Sequence, residues 1–237
     1  MSELVGLWLY LSASPLFGLA GTVGVYVLAA AASARLGAPP WANPVLWTVL
    51  ALAALLLASG TPYAAYFAGA QFIHFLLGPA VVALGWLLWQ RRQALRRDAV
   101  ALLAASLLGG GAAAGSAAAL GLAFGLPAEV VASLAPKSVT APVAMGIAER
   151  IGGVPALAAV FAVLTGLVGA VTAPYLLNLL GVRSPAVRGF ALGTASHGIG
   201  AARALQVHPE AGAYAGLAFA LQALLAALLL PLAMRLL

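Results

Sequence analysis

Apolar runs of about 20 residues recur along this chain, the length at which a helix rising 1.5 Å per residue crosses roughly 30 Å of hydrocarbon. Lipid offers no hydrogen bonds, so each spanning segment must satisfy its own backbone, and runs of this length do so as helices. The remaining surface is consistent with that medium. With 64% hydrophobic and 7% charged residues among 237, and a mean hydropathy of +1.09, the chain has too little polar surface to cover a soluble globule. The expected fold is an all-α polytopic membrane protein, a single transmembrane domain over 1–237 with seven to eight spans and no soluble domain or long linker.

The runs are punctuated by proline and glycine. A short leading helix from Leu4 to Leu11 leads through Ser14 and Pro15 into a first span ending near Arg35, and Pro39-Pro40 closes it. Further spans are expected from Pro44 to Ser59, Phe72 to Gln90, Ala99 to Phe124, Ala128 to Arg150, Pro155 to Leu180, Arg188 to Gln206 and Ala211 to Leu236. Three of these read as discontinuous helices: the one near 72–90, broken at Gly78 and Pro79, the one near 128–150, broken between Pro136 and Pro142, and the one near 188–206, loosened by Gly193, Gly198 and Gly200. A shift of 58 residues sets Gly78-Pro79 over Pro136-Lys137 and Gly111 over Gly169, a faint internal repeat whose copies would run parallel. Paired interrupted helices are a pointer to secondary transporters, because unwound backbone exposes amides and carbonyls to a ligand.

The net charge of +6 does not indicate nucleic acid, since its densest piece, Arg91, Arg92, Arg96 and Arg97, lies between apolar runs without interleaved aromatic residues. It reads as a cytoplasmic loop, with Arg35 and Arg150 on the same side if the first, third and fifth spans run inward. Arg183 and Arg188 then fall outside, against the positive-inside rule, unless the fifth or seventh segment turns back as a re-entrant hairpin. No basic n-region precedes the first apolar run, so it is expected to stay in the mature protein. Zero cysteines and three scattered histidines leave no disulfide and no metal-ligand spacing. Tyr63, Tyr66, Trp86 and Trp89 lie near predicted span ends, where aromatic belts are ordinary, and Gly152 to Pro155 is a turn opening the next helix.

Candidate chemistry concentrates in two tracts. Lys137, the only lysine, sits with Ser138 and Thr140 between Pro136 and Pro142. A charge near mid-bilayer costs roughly 2.5 to 3.5 kcal/mol on insertion scales, so an anionic ligand or a buried partner is expected to offset it. The alternatives are an ion pair with Glu129 or Glu149, or snorkelling to an interface. The second tract, Gly193 to Arg203, offers Ser196 and His197 at a flexible bend and Arg203 as a bidentate clamp for a carboxylate. The competing reading places Arg203 at the surface near Glu210 and His197 on backbone. His74 and His208 read as structural. Ser196 beside His197 has no orienting acid and is not a nucleophile dyad, so no enzyme is expected.

Four motifs together resemble the LrgB/CidB family of bacterial membrane proteins, relatives of one half of the plastid glycolate/glycerate translocator: Leu76-Leu77-Gly78-Pro79-Ala80, Pro136-Lys137-Ser138-Val139-Thr140, Ile151-Gly152-Gly153-Val154-Pro155 and Ala191 through Gly200. The resemblance implies a multi-pass protein of the bacterial inner membrane, often paired with a small LrgA/CidA-type holin-like partner and linked to murein hydrolase control, autolysis and movement of small carboxylates such as pyruvate or glycolate. Ala141 and Ala201 replace threonines frequent in the family, and Leu87 replaces a frequent proline. The LrgA-like half of the plastid relative is absent.

These readings combine into a leading expectation, a carrier of small monocarboxylates. Lys137 would supply positive potential, with Ser138, Thr140 and Ser196 as hydrogen-bonding groups, Arg203 as reserve clamp and His197 for protons. The alternative is an antiholin- or holin-like modulator acting with a partner. No cofactor is expected beyond a proton or Na+ if coupling exists, and glycine-rich faces such as Gly111 with Gly115, or Gly121 with Gly125, are candidates for packing within the chain or in a homo-oligomer.

Overall fold

Proline opens most of the long helices, where its missing N–H costs nothing and its fixed φ is already helical. The computed structural model describes residues 15–76, 79, 86, 89 and 92–236, and among the described residues all regular structure is helical. Two compact units divide the chain, residues 1–83 and 84–237.

The described part of the first unit holds α1 (Pro15–Arg35), a short 3-10 turn (Pro40–Ala42), α2 (Pro44–Ser59) and α3 (Tyr63–Phe75). Asn43 caps α2 by accepting from the backbone amides of Val45 and Leu46 at 2.9 and 3.2 Å, and Gly60 ends it in the left-handed conformation that glycine adopts without penalty. Helices α1 and α3 cross where Gly18 lies against the Tyr66 carbonyl. Beside that contact Thr22 Oγ1 shares a hydrogen bond of 2.6 Å with Tyr66 Oη. The leading helix expected at Leu4 to Leu11 and the break at Gly78 lie outside the described residues, while Pro79 is itself helical. The first copy of the 58-residue repeat therefore falls largely outside them.

The second unit comprises α4 (Arg92–Arg97), α5 (Ala99–Ala123), α6 (Ala128–Leu134), α7 (Ala141–Arg150), α8 (Pro155–Leu179), α9 (Pro185–Val207) and α10 (Pro209–Leu236). Its two ends are defined by packing. At one end Leu102 of α5 meets Ala186 and Phe190 of α9 and Tyr214 of α10. At the other, Val131 of α6 packs on Gly121 of α5, and Ala226 of α10 joins Ala144, Ala148 and Ala158 of α7 and α8.

The segments expected to be the fifth and seventh spans do not cross. From its start beside Gly121, α6 runs inward alongside α5 until Lys137 reaches Ala113. The chain then turns and α7 comes back, so that the backbone amide of Val154 donates to Ser133 Oγ at 2.8 Å. Likewise α9 enters from the opposite end, breaks at Ser196 (φ −128°, ψ 15°) and His197 (φ 43°, ψ −137°), and returns. The return is tight: a Cβ on Gly200 would lie 2.6 Å from the Leu192 carbonyl oxygen, a pair about 12 Å apart in a straight helix. Among the described residues four helices are long and apolar enough to span, at Leu16–Arg35, Ala99–Ala123, Pro155–Leu179 and Pro209–Ala233, with Pro44–Ser59 a shorter apolar one. Among the described residues, the fifth and seventh expected crossings are therefore two re-entrant hairpins of opposite direction.

That change of parity corrects the sidedness expected from counting spans. Arg183 and Arg188 share an end of the second unit with Arg92, Arg96 and Arg97, because α8 finishes and α9 begins where α5 begins. Arg150 lies at the other end, with Glu149 beside it in the sequence.

Candidate functional site

Both interrupted segments break at the depth where their hairpins meet. A Cβ on Gly198, just past the break in α9, would lie 3.9 Å from Thr140 Cγ2, at the end of the lysine tract. Two polar tracts more than 50 residues apart in sequence thus become neighbours. Non-helical backbone at membrane depth survives only when buried in protein or lining a wet cavity, and both conditions are visible here.

The α9 break is seated on α8 by two glycines one turn apart. A Cβ on Gly166 would lie 2.8 Å from both Cε1 and Nε2 of His197, and one on Gly169 would overlap Ser196 Oγ. The imidazole is anchored: Nε2 lies 2.9 Å from the carbonyl oxygen of Ala162. A carbonyl only accepts, so Nε2 carries the proton and donates it, leaving Nδ1 as the ring's site for a mobile proton. The positive φ of His197 is uncommon for a side chain with a Cβ and marks the tip of the hairpin as a strained, over-determined point.

Beside the hairpin tips lies a cavity of about 90 Å3, whose wall includes Ser106 and Gly110 of α5, Pro136 and Ser138 of the lysine tract, and Gln222 of α10. Ser106 Oγ, Thr194 Oγ1, Ser196 Oγ and Gln222 Oε1 are buried without a protein hydrogen-bond partner. Leaving such a group unsatisfied costs about 1–3 kcal/mol; Ser106 and Gln222 stand on the cavity wall and mark it as a place for water or a small polar solute, whereas Ser196 Oγ lies against Gly169 of α8. Ser106 and Gln222 were not singled out from the sequence, although both are polar residues inside otherwise apolar spans. Gly110, one of a run of three glycines that reads as a close-packing face, lies against the Gln222 amide, whereas Gly166, which makes room for His197, was likewise missed.

Lys137 departs from its expected role. Its amine donates to the Ala113 carbonyl at 2.7 Å, is half-buried, reaches neither Glu129 nor Glu149, and is not part of the cavity wall that Ser138 helps form. Arg203 also stands apart, buried at 6% exposure, in the returning half of α9. There it shares a separate pocket with Arg183 and Arg188. The expected constellation therefore divides: Ser138, Thr140, Ser196 and His197 gather at the hairpin tips with Gly198 and Gly200, Lys137 points to α5, and Arg203 lies towards one end. His208 is structural as expected, its Nδ1 accepting from the Glu210 amide at 3.1 Å, and the side chain of His74 lies outside the described residues.

Comparison with known proteins agrees with the motif pattern. The LrgB-like family matches residues 22–236. The chain is 35% identical over 167 residues to the protein YxaC of Bacillus subtilis, covering 70% of this chain and 73% of that one. It is 33% identical over 189 residues to a protein of Haemophilus influenzae, covering 80% and 82%. To the holin-like protein CidB of Staphylococcus aureus it is 32% identical over 193 residues, covering 81% and 84%. No solved structure matches significantly. A family match over residues 22–236, together with relatives at 32–35% identity of which more than two thirds is covered, means that this multi-pass membrane protein belongs to the LrgB-like family.

Proposed function

We propose that the chain is a holin-like protein of the bacterial inner membrane that modulates envelope permeability, and through it murein hydrolase activity and autolysis, together with a separate LrgA/CidA-type partner. It acts by assembly, not by catalysis. The carrying observation is the similarity to a holin-like relative across 81% of the chain. The geometry supports the same reading, because Lys137, the cation on which an anion carrier would most depend, is engaged on a helix carbonyl and stands outside the cavity. Within the second unit Gly111 and Gly115 have nothing within 4 Å of the positions a Cβ would take, leaving a small-residue face of the kind that lets helices of different chains approach closely.

A second reading, a carrier of small monocarboxylates, is favoured by one observation: two opposed hairpins meet at unsatisfied hydroxyl and amide groups, the arrangement in which broken helices bind solutes. In this reading Ser138, Thr140 and Ser196 orient the carboxylate and His197 Nδ1 handles a coupling proton.

Proteoliposomes separate the two. Unselective dye release that appears, or changes, only when the partner chain is co-reconstituted supports the holin-like reading. Saturable, stereoselective uptake of pyruvate or glycolate by the chain alone, abolished by Ser138→Ala or Ser196→Ala in a normally inserted protein, would overturn it in favour of the carrier.

A further inference from the structure

The approach to α5 sets arginine against tryptophan. Trp86 and Trp89 are both helical and are 63% and 58% exposed. In α4, which follows, Arg92 and Arg96 are exposed and stand four residues apart, so they share a face of the helix. The aromatic and basic groups are joined: the Arg92 guanidinium lies over the Trp89 ring, 4.7 Å from its centroid, and donates to the Trp89 carbonyl at 3.0 Å. The apolar span α5 begins at Ala99, just beyond Arg97 and Asp98. This stripe therefore lies where hydrocarbon gives way to headgroups.

Compensation of charge differs along α4. Arg97 is paired, its Nε 3.1 Å from Asp98 Oδ1. Arg92 and Arg96 have no carboxylate partner among the described residues, and Glu210, the acid in the first turn of α10 at the same end, has a partner of its own. A neutral ring and a carbonyl hold Arg92 in place and leave its charge uncompensated. A fully solvated cation has no need of such a clamp, whereas a recognition site gains from one, because a side chain already fixed loses less freedom on binding. Guanidinium forks match the paired oxygens of a phosphate, and tryptophan rings favour the headgroup level, with an apolar body and a wet edge. Both halves of the stripe therefore suit one kind of partner, an anionic headgroup joined to acyl chains.

We propose that Trp89, Arg92 and Arg96 form a docking surface for an anionic phospholipid, the two guanidinium groups contacting its phosphate and the indole lying beside its glycerol and upper acyl region. The surface is distinct from the cavity at the hairpin tips, and its occupancy is measurable without any permeability assay. It fastens the start of α5, the helix that carries Ser106 and Gly110 of the cavity wall, to the membrane surface.

Full-length protein extracted from vesicles of equal phosphatidylglycerol and phosphatidylcholine, weighed by native mass spectrometry with its bound lipids, tests the assignment. The expected result is preferential retention of phosphatidylglycerol, weakened about tenfold, or about 1.4 kcal/mol, when Arg92→Gln and Arg96→Gln are combined. Trp89→Leu changes no charge but removes the ring under Arg92, and should weaken retention about threefold. Arg183→Gln removes one positive charge at the same end of the unit, from an exposed side chain, and should leave retention within a factor of two. All four side chains are exposed, so the variants are expected to fold, and an unchanged unfolding midpoint checks this. Equal retention of the two lipids by the parent, or a preference indifferent to the double variant, overturns the proposal. So does an equal loss on Arg183→Gln, which would reduce the effect to general charge.

Discussion

Replacing Gly193 by alanine tests the seating of the re-entrant hairpin on α10. A Cβ at Gly193 would overlap the Ala215 carbonyl oxygen and lie 2.7 and 2.8 Å from the Cα and C atoms of Ala215. Carbon atoms settle at about 3.5–4.0 Å, so the methyl needs close to 1 Å of additional room. Its neighbours are backbone, and no side-chain rotation supplies that room. Either α9 or α10 must move, and both are held by Leu192, Ala201, Ala204, Ala211 and Phe219 in one packed cluster. Overpacking of this kind costs about 1–3 kcal/mol. At about 2–4 °C per kcal/mol for a chain of this size, the unfolding midpoint should fall by roughly 2–12 °C. Gly111→Ala is the matched comparison: among the described residues the same methyl meets nothing within 4 Å, and alanine is the better helix former by about 1 kcal/mol, so its midpoint should hold or rise. Thermal unfolding in detergent, followed by tryptophan fluorescence, reads both variants. Equal midpoints for Gly193→Ala and the parent would refute the close approach of α9 and α10.

Cysteine accessibility tests the topology, aided by the absence of native cysteine: membrane-impermeant reagents should label cysteines at Arg96 and Arg183 from the same side and one at Arg150 from the other, and labelling at 96 and 183 from opposite sides would exclude the re-entrant α6–α7 hairpin. Ser133→Ala removes the acceptor of the Val154 amide at a fully buried position and should cost about 1–3 kcal/mol, read as a lowered unfolding midpoint; no change would mean that the amide finds another partner. At the hairpin tip, His197→Gly and His197→Ala both lose the bond to Ala162, but only alanine keeps a Cβ at φ 43°, so glycine should be the more stable of the two by about 1–3 kcal/mol. Equal stabilities would argue that the backbone at 197 relaxes on substitution.

Much of the candidate site was legible because breaking a helix in lipid demands particular residues. Pro136 and Pro142 mark the first break, and Gly193, Gly198 and Gly200 the second; both breaks stand where those residues place them. The direction of the chain after each break was not legible, since an apolar segment of 23 residues suits a crossing and a hairpin equally well. Arg183 and Arg188 did carry a signal: their misfit with the positive-inside count disappears once the α6–α7 tract turns back and no longer counts as a crossing. Lys137 was placed correctly in an unwound tract, but its partner, the Ala113 carbonyl, belongs to a helix that no local pattern connects to it. Ser106 and Gln222 had no motif around them and acquired meaning only by facing Ser138 across the cavity.

From the linear chain follow the medium, the helical class and the sites of interruption, since each depends on a local property: apolar length against bilayer thickness, backbone satisfaction without water, and the conformational limits of proline and glycine. Packing alone decided which helix ends share a side, that Arg203 joins Arg183 and Arg188 and not Lys137, and that Ser106 and Gln222 share a cavity wall with Ser138. Those outcomes depend on which small residues permit close approach between distant helices, a relation among positions far apart in the sequence.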